Sequence, residues 1–258
     1  MRIKNSWLWI SSVVLSLSCL GNAMAQEFTG VVQWAQRVEL GTPQSGIIVD
    51  VPVQTGGMVK KGQLLVQLET RALEARVRQA EAKQANMKKA REEAQRELDR
   101  SKELYERTLL SNHDLEVAKI AFSDAYSRYQ AATAALVEAR LDLEQSAIRA
   151  PFDGVVLQRN AEVGQTVVSA LQSVPLVTVA ATRQMRVQTE ATQAQLAKLA
   201  VGQSVQVESG GRRFKGTISV IGLEPSAGNG EPRYPLQVLF VTEGEVIRVG
   251  QPAKVITQ

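Results

Sequence analysis

From Gln63 to Ala150 the chain contains neither glycine nor proline, so nothing in that run is built to break a helix. Counting from Leu115 in alternating steps of three and four gives Leu115, Ala118, Phe122, Ala125, Tyr129, Ala132, Leu136, Ala139 and Leu143. A large apolar residue returns every seven positions, with alanine at each intermediate step. That is a coiled-coil seam, a narrow apolar stripe with small residues that let a partner helix approach closely. A lone amphipathic helix of a globular bundle is the alternative, but it does not require four unbroken heptads.

The partner is expected just upstream, as a helix over Ala72–Arg107. Its inward positions are Leu73, Val77, Ala80, Met87, Ala94, Leu98 and Tyr105, interrupted by the polar Gln84 and Arg91, which read as surfaces kept for neighbours. Acid-before-base pairs at four-residue spacing, Glu74/Arg78, Glu92/Arg96 and Glu103/Arg107, support the outer face by a few tenths of a kcal/mol each. Some 35 residues at about 1.5 Å each make a rod on the order of 50 Å long. The turn falls near Leu109–Asn112, where Ser111 followed by Asp114 has the form of a helix N-cap. Thr108, Leu109 and Leu110 then form the hairpin tip, where exposed leucines have no core to enter and suggest a contact site.

The hairpin is flanked by two similar β units. Gly46-Ile47-Ile48-Val49 opens the first, with Gly56 ten residues and Val59 thirteen residues on, before Leu64-Leu65-Val66. Gly154-Val155-Val156-Leu157 opens the second, with Gly164 and Val167 at the same offsets, and Leu176-Val177-Thr178-Val179 closes it after an insertion around Ala170–Ser173. Several offsets repeated in order indicate an internal repeat. Neither half has apolar surface for a core of its own, so the two are expected to pair, with Gly46 and Gly154 in equivalent positions that exclude side chains or hold a positive φ. The inserted helices must go out and come back.

The N-terminus carries Arg2 and Lys4, an apolar run from Trp7 to Leu20, and Ala23-Met24-Ala25. This is the form of a secretory signal cleaved before Gln26. Cys19 offers a lipid anchor as the alternative, although Ser16 stands where a lipoprotein signal usually has leucine. Cleavage at Ala25 removes the one cysteine, and with it any disulfide, thiol nucleophile or thiolate ligand. It also lowers the net charge of +4 by two, and with aromatics at 5% no clustered basic, aromatic face for nucleic acid is evident.

Two half-motifs like those of lipoyl and biotinyl carrier domains, split by a coiled-coil hairpin, resemble the periplasmic adaptor, or membrane fusion, proteins of tripartite efflux systems. Ser45-Gly46-Ile47-Ile48, Val59-Lys60-Lys61-Gly62-Gln63-Leu64-Leu65 and Ala150-Pro151-Phe152-Asp153-Gly154-Val155-Val156 carry the resemblance. It implies an α+β multidomain fold: a long α-helical hairpin inserted into a split lipoyl-like β-sandwich, followed by a small β-barrel. The division is 1–25 signal, 26–70 first half-motif with an N-terminal strand, 71–146 hairpin, 147–181 second half-motif and 182–258 barrel. The barrel is also read from the alternation of Met185–Thr189, a short helix over Thr192–Leu199, the Gly210-Gly211 turn, and strands at Phe214–Ile221, Tyr234–Val241 and Ala253–Ile256. Pump adaptors of the family usually add a membrane-proximal domain, for which only Phe28–Gln36 is available here.

The resemblance further implies a bridge between an inner-membrane transporter and an outer-membrane channel, with self-association into a ring, commonly of six. Adaptors of resistance-nodulation-division pumps carry Arg, then Leu four on, then Ser seven further, as docking residues for the channel. Here these are Arg100, Leu104 and Ser111. An adaptor of an ABC-type exporter is the alternative. A covalent carrier is disfavoured, because the hairpin replaces the turn that would hold the modified lysine, and Lys60 and Lys61 lie in another turn. No catalytic, cofactor or metal residues are assigned: the lone His113 sits at the hairpin turn without partners at triad or metal spacing, and no phosphate-binding glycine loop occurs.

Overall fold

The computed structural model describes residues 26–168, 175–226, 230–242 and 247–257. The segment read as an export signal, with Cys19, and the insertion around Ala170–Ser173 lie outside them. The chain begins with β1 (Glu27–Trp34), β2 (Arg37–Leu40), β3 (Gly46–Asp50), β4 (Met58–Val59) and β5 (Leu64–Leu68). Two long helices follow, α1 (Arg71–Glu106) and α2 (Asn112–Gln145). Then come β6 (Ala147–Arg149), β7 (Gly154–Arg159), β8 (Thr166–Val167), β9 (Val177–Ala181) and β10 (Gln184–Thr192). The one-turn α3 (Gln193–Leu196) precedes β11 (Ser204–Ser209), β12 (Arg212–Ile221), β13 (Arg233–Val241) and β14 (Pro252–Ile256).

The two repeat halves pair by exchange. One sheet has the order β2-β9-β7-β4 and the other β6-β5-β3-β8, so each half lends its short middle strand to the other. The bonds match offset for offset: the Gly56 amide donates to the Val156 carbonyl and the Gly164 amide to that of Ile48, both at 2.8 Å. Gly56 and Gly164 hold the same left-handed turn, at φ 82° and 88°, where a side chain is strained. Between the sheets, Ile48, Leu65, Leu68, Val156, Leu176 and Val179 form a core closed to water. That neither half could build this core alone is why they pair.

Gly46 and Gly154 are not sterically equivalent, contrary to the expectation. A Cβ on Gly154 would stand 2.1 Å from the Ala180 carbonyl oxygen, whereas one on Gly46 would meet the Leu68 side chain at an ordinary 3.7 Å. Gly154 is paired on both sides, with Ala181 of β9 and Val59 of β4, and is pressed against the β9 backbone. Gly46 pairs with Val167 on the two-residue β8 and meets only the Leu68 side chain of β5, its neighbour in the same sheet.

The remaining strands close into a six-stranded barrel of order β1-β10-β13-β12-β11-β14. Phe28, Val32, Val187, Val207, Ile218, Val238 and Val255 alternate into its interior. Phe214 and Phe240 meet there at 5.3 Å between ring centroids. Residues 28–36, expected to lie with the first sandwich half or to serve a membrane-proximal domain, instead supply β1, which pairs with β10 on one side and β14 on the other. Without β1, β10 and β14 would each present an open edge, and closure removes both. The helix expected over Thr192–Leu199 is one turn, begun by a capping box in which Gln195 accepts from the Thr192 amide at 2.9 Å.

In the hairpin, all nine predicted seam residues of α2 are buried or half-buried. On α1 the seam holds from Leu73 to Leu98 but then passes through Ser101 to Leu104, leaving Tyr105 41% exposed. Two consecutive three-residue steps carry the inward row back around α1 by about 60° each, so the row leaves Tyr105 for Leu104. Gln84 and Arg91 face the partner helix, not a neighbour. The Gln84 amide reaches the Tyr129 hydroxyl at 3.5 Å, and the Arg91 guanidinium lies 5.5 Å from the centre of the same ring. Tyr129 thus receives two polar residues two turns apart on α1, which sets the register of the arms. Of the three predicted outer pairs only Glu74–Arg78 forms, at 3.8 Å. Arg96 turns to Glu93, and Arg107 is the C-cap, bonded to Glu103 through its amide and the Glu103 carbonyl at 3.3 Å rather than through the charged groups.

Side-chain and backbone bonds fix the hairpin base to the sandwich. Gln44 donates to Asp142 at 2.8 Å, the Thr42 hydroxyl donates to the Gln145 carbonyl at 2.7 Å, and the Leu68 amide donates to the carbonyl of the buried Ser146 at 2.9 Å. At the start of α1 the Arg71 guanidinium forks onto Glu69 and holds its carboxyl below the usual carboxylate range. Among the described residues no helix is long and apolar enough to cross a membrane.

Candidate docking site at the hairpin tip

The tip is built by two helix ends. At the end of α1 the Thr108 amide donates to the Tyr105 carbonyl at 2.8 Å and the Leu109 amide to that of Leu104 at 2.9 Å. These are the paired bonds of a Schellman motif, and they require a left-handed residue at Thr108, which has φ 58°. Glycine usually fills that place, so a threonine there pays for the sharp stop with strain. Its hydroxyl donates to the Arg107 carbonyl at 2.6 Å. Sequence reading missed this turn, because nothing about threonine announces a positive φ.

At the start of α2 Ser111 is the N-cap, as expected. Its hydroxyl oxygen accepts from the Asp114 amide at 3.1 Å, and the same hydroxyl donates to the Asp114 carboxylate at 2.7 Å. The carboxylate also stands in the first turn, where a negative charge suits the helix dipole. Leu109 projects from the turn, 70% exposed, while Leu110 is half-buried.

The structure therefore brings Thr108, Leu109, Leu110 and Ser111 into one connection between the helices. Arg100 and Leu104 lie on the last turns of α1, one helical turn apart. Arg100 is exposed and 3.6 Å from Glu97, an ion pair too solvated to hold it in place. Leu104 is half-buried and lies on the seam side of α1, and its carbonyl anchors the tip turn. His113 is exposed in the first turn of α2.

Two residues of this region escaped the sequence reading: Val117, 51% exposed, and Ile120, 67% exposed. The signal for them was present, since both are large apolar residues that fall off the heptad seam of Leu115, Ala118 and Phe122. With Leu109 and Tyr105 they give the tip third of the rod an apolar exterior beside the exposed cation of Arg100. Among the described residues no group of metal-ligating side chains occurs. The arrangement offers apolar knobs, a cation and a hydroxyl, the kinds of group found at protein–protein contacts.

Comparison with known proteins gives a consistent set of likenesses. A family model described as the CzcB-like barrel-sandwich hybrid domain matches residues 36–180. The nodulation protein NolF of Rhizobium meliloti is 29% identical over 197 residues, covering 75% of this chain and 53% of that protein. The macrolide export protein MacA of Yersinia pestis is 27% identical over 249 residues, covering 89% of this chain and 67% of that protein. The chain thus spans about half to two thirds of the length of these curated relatives. Among solved structures, the membrane fusion protein Spr0693 of Streptococcus pneumoniae R6 superposes with a TM-score of 0.67 at 19% identity, over 89% of this chain and 97% of that one, a likeness of fold.

Proposed function

The chain belongs to the CzcB-like barrel-sandwich hybrid family of membrane fusion, or periplasmic adaptor, proteins of efflux systems, and from that premise we propose that it bridges an inner-membrane transporter to an outer-membrane channel in the periplasm. The role is structural rather than catalytic. The observation that carries it is the hairpin: a rod on the order of 50 Å, bonded to the sandwich at its base and bearing exposed apolar residues at its far end. A rod tied at one end and apolar at the other is suited to reaching a second protein.

In this reading the tip docks the outer-membrane channel through Arg100, Leu104 and Ser111, with Thr108, Leu109 and Leu110 at its apex. The transporter is of the resistance-nodulation-division type, as the spacing of that triplet suggests. Export to the periplasm follows from the signal segment over residues 1–25, with cleavage at Ala25 rather than anchorage at Cys19. Because one tip cannot surround a channel, copies assemble into a ring, of six by the family's habit, once transporter or channel is present. Light scattering with and without those partners tests assembly, and a monomer under both conditions rejects it.

Docking is tested with Leu104→Asp and Leu109→Asp, read by crosslinking to the channel, by export and by melting temperature. Burying one leucine is worth about 1.5–3 kcal/mol, so each loss weakens a contact by about tenfold or more. Both variants are expected to lose crosslinking and export, Leu109→Asp without change in melting and Leu104→Asp with a small decrease from its half-buried side. A folded pair that still exports at the normal rate removes the tip from the mechanism.

A further inference from the structure

Beside the double crossing between sandwich and barrel, where the Ala181 amide bonds the Gln36 carbonyl at 3.0 Å, lies a cavity of about 940 Å³. One wall is the β4–β7 edge of the sandwich, with Met58 and Val155. The other is the barrel end, with Trp34 and Val249. Met58 is 68% exposed, on an edge strand that faces the cavity and not the core. Apolar surface left open on two facing walls is unusual unless something occupies it, and the volume lies in the range of small-molecule sites.

The charges at the rim choose the occupant. Among the described residues, four charged side chains line the cavity: Lys60, Asp153, Arg183 and Arg248. Asp153 is committed, accepting from the Lys61 amide at 2.8 Å and from the Lys60 ammonium at 3.4 Å. Among the described residues no carboxylate comes within ion-pair distance of Arg183 or Arg248. Arg183 lies near enough to Asp153 to help hold its carboxyl below the ordinary range, though outside ion-pair distance, so the described rim sets three cations against one carboxylate beside an apolar cleft and complements one kind of molecule. We propose that this cleft binds an amphiphilic organic anion, its apolar body against Met58, Val155 and Trp34 and its head group taken by Arg183 and Arg248. The site lies on the β domains and is separate from tip docking, so its occupancy is measured without either membrane partner.

Trp34 reports on it directly. In the full chain carrying Trp7→Phe and Trp9→Phe, Trp34 is the sole tryptophan, and dansyl-undecanoic acid is the probe. Saturable, single-site energy transfer from Trp34 to the dansyl group is expected, with the uncharged methyl ester binding about tenfold more weakly, as loss of a charge-assisted contact implies. Arg183→Gln with Arg248→Gln should weaken the acid about tenfold and leave the ester unchanged, while Met58→Asp should weaken both. All three side chains are exposed, so melting temperatures should stay with the parent. Displacement by dihexanoyl-phosphatidylglycerol assigns the anion to membrane lipid, and failure to displace assigns it to a free amphiphile. Absence of transfer, equal affinity for acid and ester, or a double arginine variant that binds like the parent overturns the proposal. So does probe binding that falls as protein concentration rises, which would place a second copy in the cleft.

Discussion

The most discriminating test of the exchanged β halves is a matched pair of substitutions, Gly154→Ala and Gly46→Ala. At Gly154 the new methyl would lie 2.1 Å from the Ala180 carbonyl oxygen and 2.9 Å from the carbonyl carbon. Ordinary contact begins near 3.4 Å, so β7 and β9 must separate by on the order of 1 Å. Overpacking of this kind costs about 1–3 kcal/mol. The shift also strains the pairing of Gly154 with Ala181 and with Val59, at about 0.5–1.5 kcal/mol for each bond lost. A total of about 2–4 kcal/mol is a large share of the stability of a small domain. At about 4–8 °C per kcal/mol it lowers the melting temperature of the sandwich by about 10 °C or more. At Gly46 the methyl meets only Leu68 at 3.7 Å, and φ is not left-handed. The reduced freedom of the unfolded chain then makes Gly46→Ala neutral or stabilising, by up to about 1 kcal/mol. Thermal and urea unfolding followed by circular dichroism reads both, with limited proteolysis at the hairpin base showing whether the sandwich yields first. If Gly154→Ala melts with the parent, or if both variants fall by the same amount, the asymmetry derived from the β7–β9 approach is wrong.

Thr108→Gly should relieve the left-handed strain at the tip and stabilise the end of α1 by about 1 kcal/mol, read as slower amide exchange at Leu109; faster exchange would mean that the threonine side chain holds the turn. Tyr129→Phe should cost little, because the Gln84 bond at 3.5 Å is long. Tyr129→Ala should cost about 2–4 kcal/mol and loosen the register of the arms, checked by disulfide trapping between cysteines placed across the seam. The bond from the Lys61 amide, helped by the Lys60 charge, holds the Asp153 carboxyl below its ordinary range. The folded state therefore takes up fewer protons than the unfolded one between the lowered and the ordinary pKa, so this stabilisation is complete above the ordinary carboxylate value and is lost as pH falls through the lowered one. Asp153→Asn should flatten that acid limb of the stability profile, and a profile parallel to the parent's would assign the acid sensitivity to other groups.

The hairpin could be read from the chain alone because its information is local. Leu115 to Leu143 repeat every seven residues, and the absence of glycine and proline from Gln63 to Ala150 leaves helix as the natural outcome. The Ser111 cap was equally legible, since its partner is three residues away. The repeat halves were legible as a pattern, Gly56 against Gly164 and Val59 against Val167, because equal offsets survive in one dimension. What the pattern could not say is that the middle strands cross over, or that only one of the two leading glycines faces a backbone.

The fate of β1 shows the limit most clearly. Phe28 and Val32 announce a strand with one apolar face, but alternation is the same whichever sheet the strand joins. Its partners lie at Met185–Gln188 and Pro252–Ile256, and the Thr257 amide closes onto the Gln26 carbonyl from the far end of the chain. At the tip, Tyr105 and Leu104 exchange roles because which side chain faces inward depends on where the partner helix lies, and the repeat along one helix does not contain that. Thr108 turns left-handed because two helix ends must meet. Helix periodicity and caps are encoded within a few residues. Strand partners, seam drift and the cleft between two domains are decided by groups far apart in sequence, whose cost and gain exist only once the chain has folded.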